Sequence, residues 1–107
     1  MNPYALPGIQ TIEDIAAEIW EIPRERLYEV TRERKVVDPR RVLIKYRREV
    51  LKLSTIEAAQ PFGKSHSATC ESIKEINKLN GVDKVFTAKY NDFITRANAI
   101  TKQQPCK

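Results

Sequence analysis

Three glycines, one histidine and two cysteines are spread over 107 residues. Each shortage excludes something. Gly8, Gly63 and Gly81 stand far apart, so no glycine-rich loop is present to cradle phosphates. Cys70 and Cys106 make no disulfide framework, and with His66 as the single histidine they lack zinc-finger spacing; both are expected as reduced thiols. No apolar run approaches the length of a membrane span, and the opening M-N-P-Y-A-L-P-G-I lacks the basic start and apolar stretch of a signal peptide. The expectation is a soluble protein of the cytoplasm. Cys70 is expected on a buried helix face, His66 stands at a helix start, and no paired carboxylates stand out. No enzyme, cofactor or metal centre is therefore expected.

What the chain has in excess is positive charge, net +5, and it is unevenly placed. Residues 1–30 carry two Arg against six acids, residues 31–52 carry nine Lys or Arg against three acids, and residues 53–107 carry eight against five. A concentrated basic segment suits a polyanion, because each cation set on a phosphate releases condensed counterions. The bland alternative is a solvated helix face.

Length permits one domain with one core. Pro3, Pro7 and Gly8 mark residues 1–10 as an arm that docks through Tyr4 and Leu6 or stays mobile, and T-K-Q-Q-P-C-K marks 102–107 as a frayed tail. Between them, over residues 11–101, every pattern is helical and none alternates like a strand, so the fold class is all-α. Thr11 caps a first helix whose apolar residues Ile12, Ile15, Ala16, Ile19 and Trp20 recur at three-and-four spacing. Trp20 reads as a core anchor. Pro23 opens a short helix through Tyr28 with Leu27 as its apolar contact. Residues 31–39, T-R-E-R-K-V-V-D-P, read as a basic loop, and Asp38-Pro39 as a capped helix start. From there Val42, Leu43, Tyr46, Val50 and Leu53 form a buried face, and Arg41, Lys45, Arg48 and Lys52 a cationic stripe whose self-repulsion something anionic would relieve.

The organising stretch is residues 54–79. Ser54 and Glu57 form a capping box, Pro61, Phe62 and Gly63 break the short helix, and Ser65 offers a second cap before Thr69/Cys70, Ile73, Ile76 and Leu79. Short helix, glycine turn, longer helix is the pattern of a helix-turn-helix, which sets the N-terminal residues of its second helix at base edges. Glu71 and Glu75 on that helix count against phosphate contact along its whole length and fit one presenting mainly its N-terminal end. Asn80-Gly81 stops the helix. Asp83 caps a last one, whose stripe Phe86, Tyr90, Phe93, Ile94, Ala97 and Ile100 is expected to cover the helix-turn-helix as a lid.

From about Ile12 to Ala97 the chain resembles the C-terminal DNA-binding domain of the bacterial replication initiator DnaA. The likeness rests on D-P-R-R at 38–41 against the family's R-P-R-Q, on Ser54–Phe62 against S-L-P-E-I-G-x-x-F, and on F-G-K-S-H-S-A-T-C…I-K-E-I against F-G-G-R-D-H-T-T-V…C-R-K-I. The resemblance implies a compact, Trp-repressor-like multi-helix domain that binds double-stranded DNA. It implies Arg32 or Arg34 in the minor groove, Arg40 and Arg48 at the DNA backbone, and His66 and Ser67 at bases in the major groove. Lys45 and Lys64 join them as phosphate contacts. The chain departs from the pattern where the signature Asp is Ser65, where the second Thr is Ala68, where Asp38 replaces a basic-loop Arg, and where one turn residue is missing. Altered or relaxed specificity is the expected result. Nothing resembles the initiators' ATPase domain, so the expectation is a stand-alone DNA-reading domain on the nucleoid, acting in replication or transcription control, with a replication protein as a further candidate partner and its oligomeric state open. The competing reading is a protein-interaction module that keeps the fold and binds an initiator or regulator through the acidic residues Glu13, Asp14, Glu18 and Glu21.

Overall fold

The computed structural model describes residues 11–103; the arm with Tyr4 and Leu6, and Cys106 in the tail, lie outside them. Within this range the chain is helical, without a strand.

Helix α1, Ile12–Ile19, starts where the sequence says it should. The Thr11 hydroxyl accepts from the Asp14 N–H at 3.2 Å and the Asp14 carboxylate accepts from the Thr11 N–H at 3.1 Å, a reciprocal pair that satisfies two free donors of the first turn. Ile15, Ala16 and Trp20 are buried. A 3-10 turn at Arg24–Tyr28 follows Pro23 and buries Leu27 completely.

Helix α2, Arg34–Glu49, begins five residues before the expected start. Its N-cap is Glu33, Asp38 caps nothing, and Pro39 stands inside the helix, where it removes one backbone bond and crowds the preceding turn. A helix-interior proline costs about 3 kcal/mol, and complete burial of Val36 returns roughly 1.5–3 kcal/mol of that. Arg34 supplies more: its Nε donates to Asp38 at 3.0 Å and its terminal nitrogen to Asp83 at 2.7 Å, tying the extra turn to the start of the last helix. Farther along, Val42, Leu43, Ile44 and Tyr46 are buried, whereas Val50, just past the helix end, is exposed. The buried face thus gains Ile44 and loses Val50. Lys52 lies beyond the helix in a left-handed conformation, φ 62°, so the expected cationic stripe ends at Arg48.

Helix α3, Thr55–Ala59, carries the expected Ser54–Glu57 capping box, with bonds of 3.0 and 3.1 Å. A 3-10 turn, Gln60–Phe62, leads to Gly63 at φ 67°, a left-handed turn residue that favours glycine. Helix α4, His66–Leu79, follows, and Ser65 is its N-cap by backbone position with no side-chain bond. The Thr69 hydroxyl donates to the Thr55 carbonyl at 2.6 Å and locks the two helices together. The Phe62 ring stacks on Tyr28 at 5.4 Å, joining the turn to the segment after α1.

Helix α5, Lys84–Gln103, is capped by Asp83, whose carboxylate accepts from the Phe86 N–H at 3.0 Å. It runs past the expected boundary at 101. It is not a lid over the helix-turn-helix: it packs chiefly along α1, with Phe86 against Trp20, while Phe93 meets Tyr46 of α2 edge-on at 5.4 Å. The core lies between α1, α2 and α5 on one side and α3 and α4 on the other, and α2 is the member shared by both.

Candidate nucleic-acid interface

Helix α4 buries one side and presents the other. Thr69, Ser72 and Ile76 face the core, while His66, Ser67, Cys70, Glu71, Lys74 and Lys78 are exposed. Small polar residues at 69 and 72 let α4 sit close on α2, and they rotate the helix away from the expected register. Cys70, expected to be buried, is exposed as a result.

Two depressions border α4. The larger, about 650 Å³, lies between Ala68, Glu71, Ser72, Glu75 and Leu79 and the N-terminal half of α2, and Arg32, Arg34 and Lys64 also line it. The smaller is formed by Ile73 with Arg48, Glu49 and Lys52. At 100° per residue, residues 68, 75 and 79 and residue 73 fall on opposite flanks of α4's exposed face. Helix α2 therefore crosses beneath α4, with cations reaching both sides of it.

The expected site residues divide sharply by how their charges are used. Arg32 and Lys64 are exposed, and their side chains make no hydrogen bond or ion pair among the described residues. Arg48 donates to the Leu53 carbonyl at 3.3 Å and is half-buried on the opposite flank. Arg34 is helical rather than in a loop, and both its carboxylate partners raise its pKa above the ordinary arginine value. Arg40 is not the open side chain expected at the DNA backbone. It is 5% exposed, and it donates to the Leu27 carbonyl at 2.9 Å and to the Glu29 carbonyl. Burial, then the neighbouring Arg41, pull its pKa below the ordinary value. Arg40 holds the segment before α2 in place, and little of it is left at the groove it borders. Lys45 is turned away as well, its side chain 12% exposed and paired with Glu49. Desolvation opposes its charge, but Glu49 and Tyr90 outweigh it and leave the pKa raised.

At the start of α4, Ser65, His66 and Ser67 are exposed and Ala68 is half-buried. The His66 ring is held: Nδ1 lies 2.8 Å from the Thr55 hydroxyl and Nε2 lies 3.7 Å from Cys70 Sγ. A thiol and an imidazole thus do meet, contrary to the sequence reading: residues 66 and 70 are one helical turn apart on the same edge, and the rotation of α4 leaves that edge exposed. The spacing of Thr69, Ser72, Ile76 and Leu79 carried the signal: Thr69 stood among the expected core positions, and Ser72, small and polar, completes the buried side. Glu75 is near Arg41, at 4.0 Å, and Lys78, at 3.9 Å, so part of the anionic relief the cationic stripe needs comes from α4 itself.

A family profile described as the bacterial DnaA protein helix-turn-helix matches residues 9–76, more than half of the chain. This chain belongs to that family. No curated protein sequence matches it. The DnaA helix-turn-helix is a DNA-binding domain, not a catalytic one, and the match takes in α1 through most of α4. Helix α5 lies beyond the matched residues, which agrees with its packing along α1 rather than over α4. No described helix is long and apolar enough to cross a membrane. The acids proposed as a protein-docking face on this DnaA-type domain are largely in use: Asp14 pairs with Arg24 at 3.3 Å, Glu18 with Arg96 at 3.0 Å, and Glu13 lies 3.8 Å from Arg47.

Proposed function

We propose that this domain binds double-stranded DNA by laying the N-terminal half of α4 in the major groove. His66 and Ser67 face base edges, with Ser65 and Ala68 beside them. Arg32 and Lys64 contact phosphates on one flank of the helix, with Arg32 at the adjacent minor groove, and Arg48 contacts phosphates on the other. A DNA-reading domain acting in replication or transcription control on the nucleoid follows from this reading.

The observation that carries it is the pair of unpartnered cations, Arg32 and Lys64, beside an exposed helix whose opposite flank carries Arg48 and Lys52. A duplex needs such a straddle, because the strands bordering a major groove present phosphates on both sides of an inserted helix. A solvated charged face needs no such arrangement. Selection of bound sequences from a random duplex pool, for the wild type and for His66→Ala and Ser67→Ala, tests the reading. A preferred sequence is expected for the wild type, with about 1–3 kcal/mol of discrimination lost at a defined base pair in a variant. No enrichment, or variants selecting the same sequences equally well, contradicts it.

A further inference from the structure

The outward face of α4 carries one carboxylate that nothing in the fold employs. Glu71 is exposed and its carboxylate makes no hydrogen bond or ion pair among the described residues, although Arg32, Lys64 and Arg41 border the same groove. Its neighbour one turn on, Glu75, has Arg41 and Lys78 nearby. Glu71 also stands one helical turn after Ser67, so the two share a face.

We infer that Glu71 reads a cytosine, a specificity that deepens the duplex-binding reading above and rests on it. An ionised carboxylate only accepts hydrogen bonds. In the major groove guanine offers acceptors alone and thymine an acceptor and a methyl; adenine sets an acceptor beside its amino group. Cytosine presents an amino donor and no acceptor of its own in the groove. Phosphates repel the same group. A carboxylate carried into the groove on α4 therefore gains most at cytosine, less at adenine, and loses at guanine and thymine. Four residues span about 6 Å along a helix and base pairs stack about 3.4 Å apart, so the cytosine lies about one to two base pairs from the position that Ser67 faces.

The test compares the wild type with Glu71→Ala and Glu71→Gln in random-pool selection, followed by affinity measurements on the best site and on that site with the cytosine pair changed to T·A. The wild type is expected to lose about tenfold in affinity on that change and Glu71→Ala almost nothing. Glu71→Gln is expected to shift the preference toward adenine, whose N6 and N7 an amide pairs with both of its groups. Retention of the cytosine preference by Glu71→Ala overturns the inference. So does a uniform gain in affinity for every sequence, which marks Glu71 as a repelling charge and nothing more. In both cases duplex binding itself stands. If the wild type binds no duplex at all, the functional reading falls and this inference with it.

Discussion

Arg32 and Arg34 sit two residues apart in the same basic segment and carry the same charge, yet they belong to different economies. Arg34 is bonded to Asp38 and Asp83 and holds the first turn of α2; Arg32 has no partner and points at the groove beside α4. Arg40 and Lys64 repeat the contrast, one buried beneath two carbonyls and the other exposed at the turn. A count of cations along the chain cannot separate the two kinds. Burial and partners do: Arg34 and Arg40 are committed to the fold, whereas Arg32 and Lys64 are open to a polyanion.

The contrast breaks most visibly at Arg40. Arg40→Ala leaves the Leu27 and Glu29 carbonyls without their donor, and is expected to lower stability by about 2–4 kcal/mol, or on the order of 10 °C in Tm. Thermal unfolding measures it, and an unchanged Tm would move Arg40 into the free class. The two cap-position serines give a smaller version of the test. Ser54 bonds the Glu57 N–H whereas Ser65 caps nothing, so Ser54→Ala should cost about 1 kcal/mol and Ser65→Ala less than about 0.5 kcal/mol in denaturant unfolding.

Acid titration sharpens the contrast for a carboxylate in use. The Phe86 N–H, then Arg34, hold the Asp83 carboxyl below the ordinary aspartate range. A depressed folded pKa means that its stabilisation is fully present above the ordinary aspartate value and is lost as pH falls through the folded one. Stability should therefore decline below the ordinary carboxylate range, and more shallowly in Asp83→Asn, as read from Tm against pH. The free thiol gives the smallest effect. In a Cys106→Ser background, maleimide should label exposed Cys70 readily, and saturating duplex DNA should slow that labelling several-fold if α4 faces the groove. Labelling at equal rates with and without DNA would place the duplex elsewhere.

The fold was legible wherever local chemistry and tertiary packing agree. The Thr11 and Ser54 caps, the Gly63 turn, the Asn80-Gly81 stop and the Asp83 cap all follow from residue types whose preferences are met within a few positions. The start of α2 was not legible, because Asp38-Pro39 is locally a good helix start and is overridden by Val36 in the core and by a bond from Arg34 to a residue 49 positions away. The register of α4 was half hidden: Thr69 stood among the expected core positions beside Cys70, but Ser72, polar by type, is buried and Cys70 is not. Of the candidate interface, the exposed start of α4 with His66 and Ser67 was legible, as was the presence of cations around it. Which cations remain free was not, since the partners of Arg34 and Arg40 depend on chain segments distant in sequence.

The central claim is that the unpartnered cations Arg32 and Lys64 beside α4, and not the ion-paired Arg34 or the buried Arg40, meet the phosphates of a duplex. The dependence of duplex affinity on salt, measured for the wild type, for Arg32→Ala with Lys64→Ala, and for Arg34→Ala, tests it most directly. The double variant should fold with an unchanged Tm and lose about two units of the slope of log affinity against log salt, while Arg34→Ala keeps the wild-type slope. A double variant with the wild-type slope, or an Arg34→Ala slope reduced as much as the double variant's, would contradict the account.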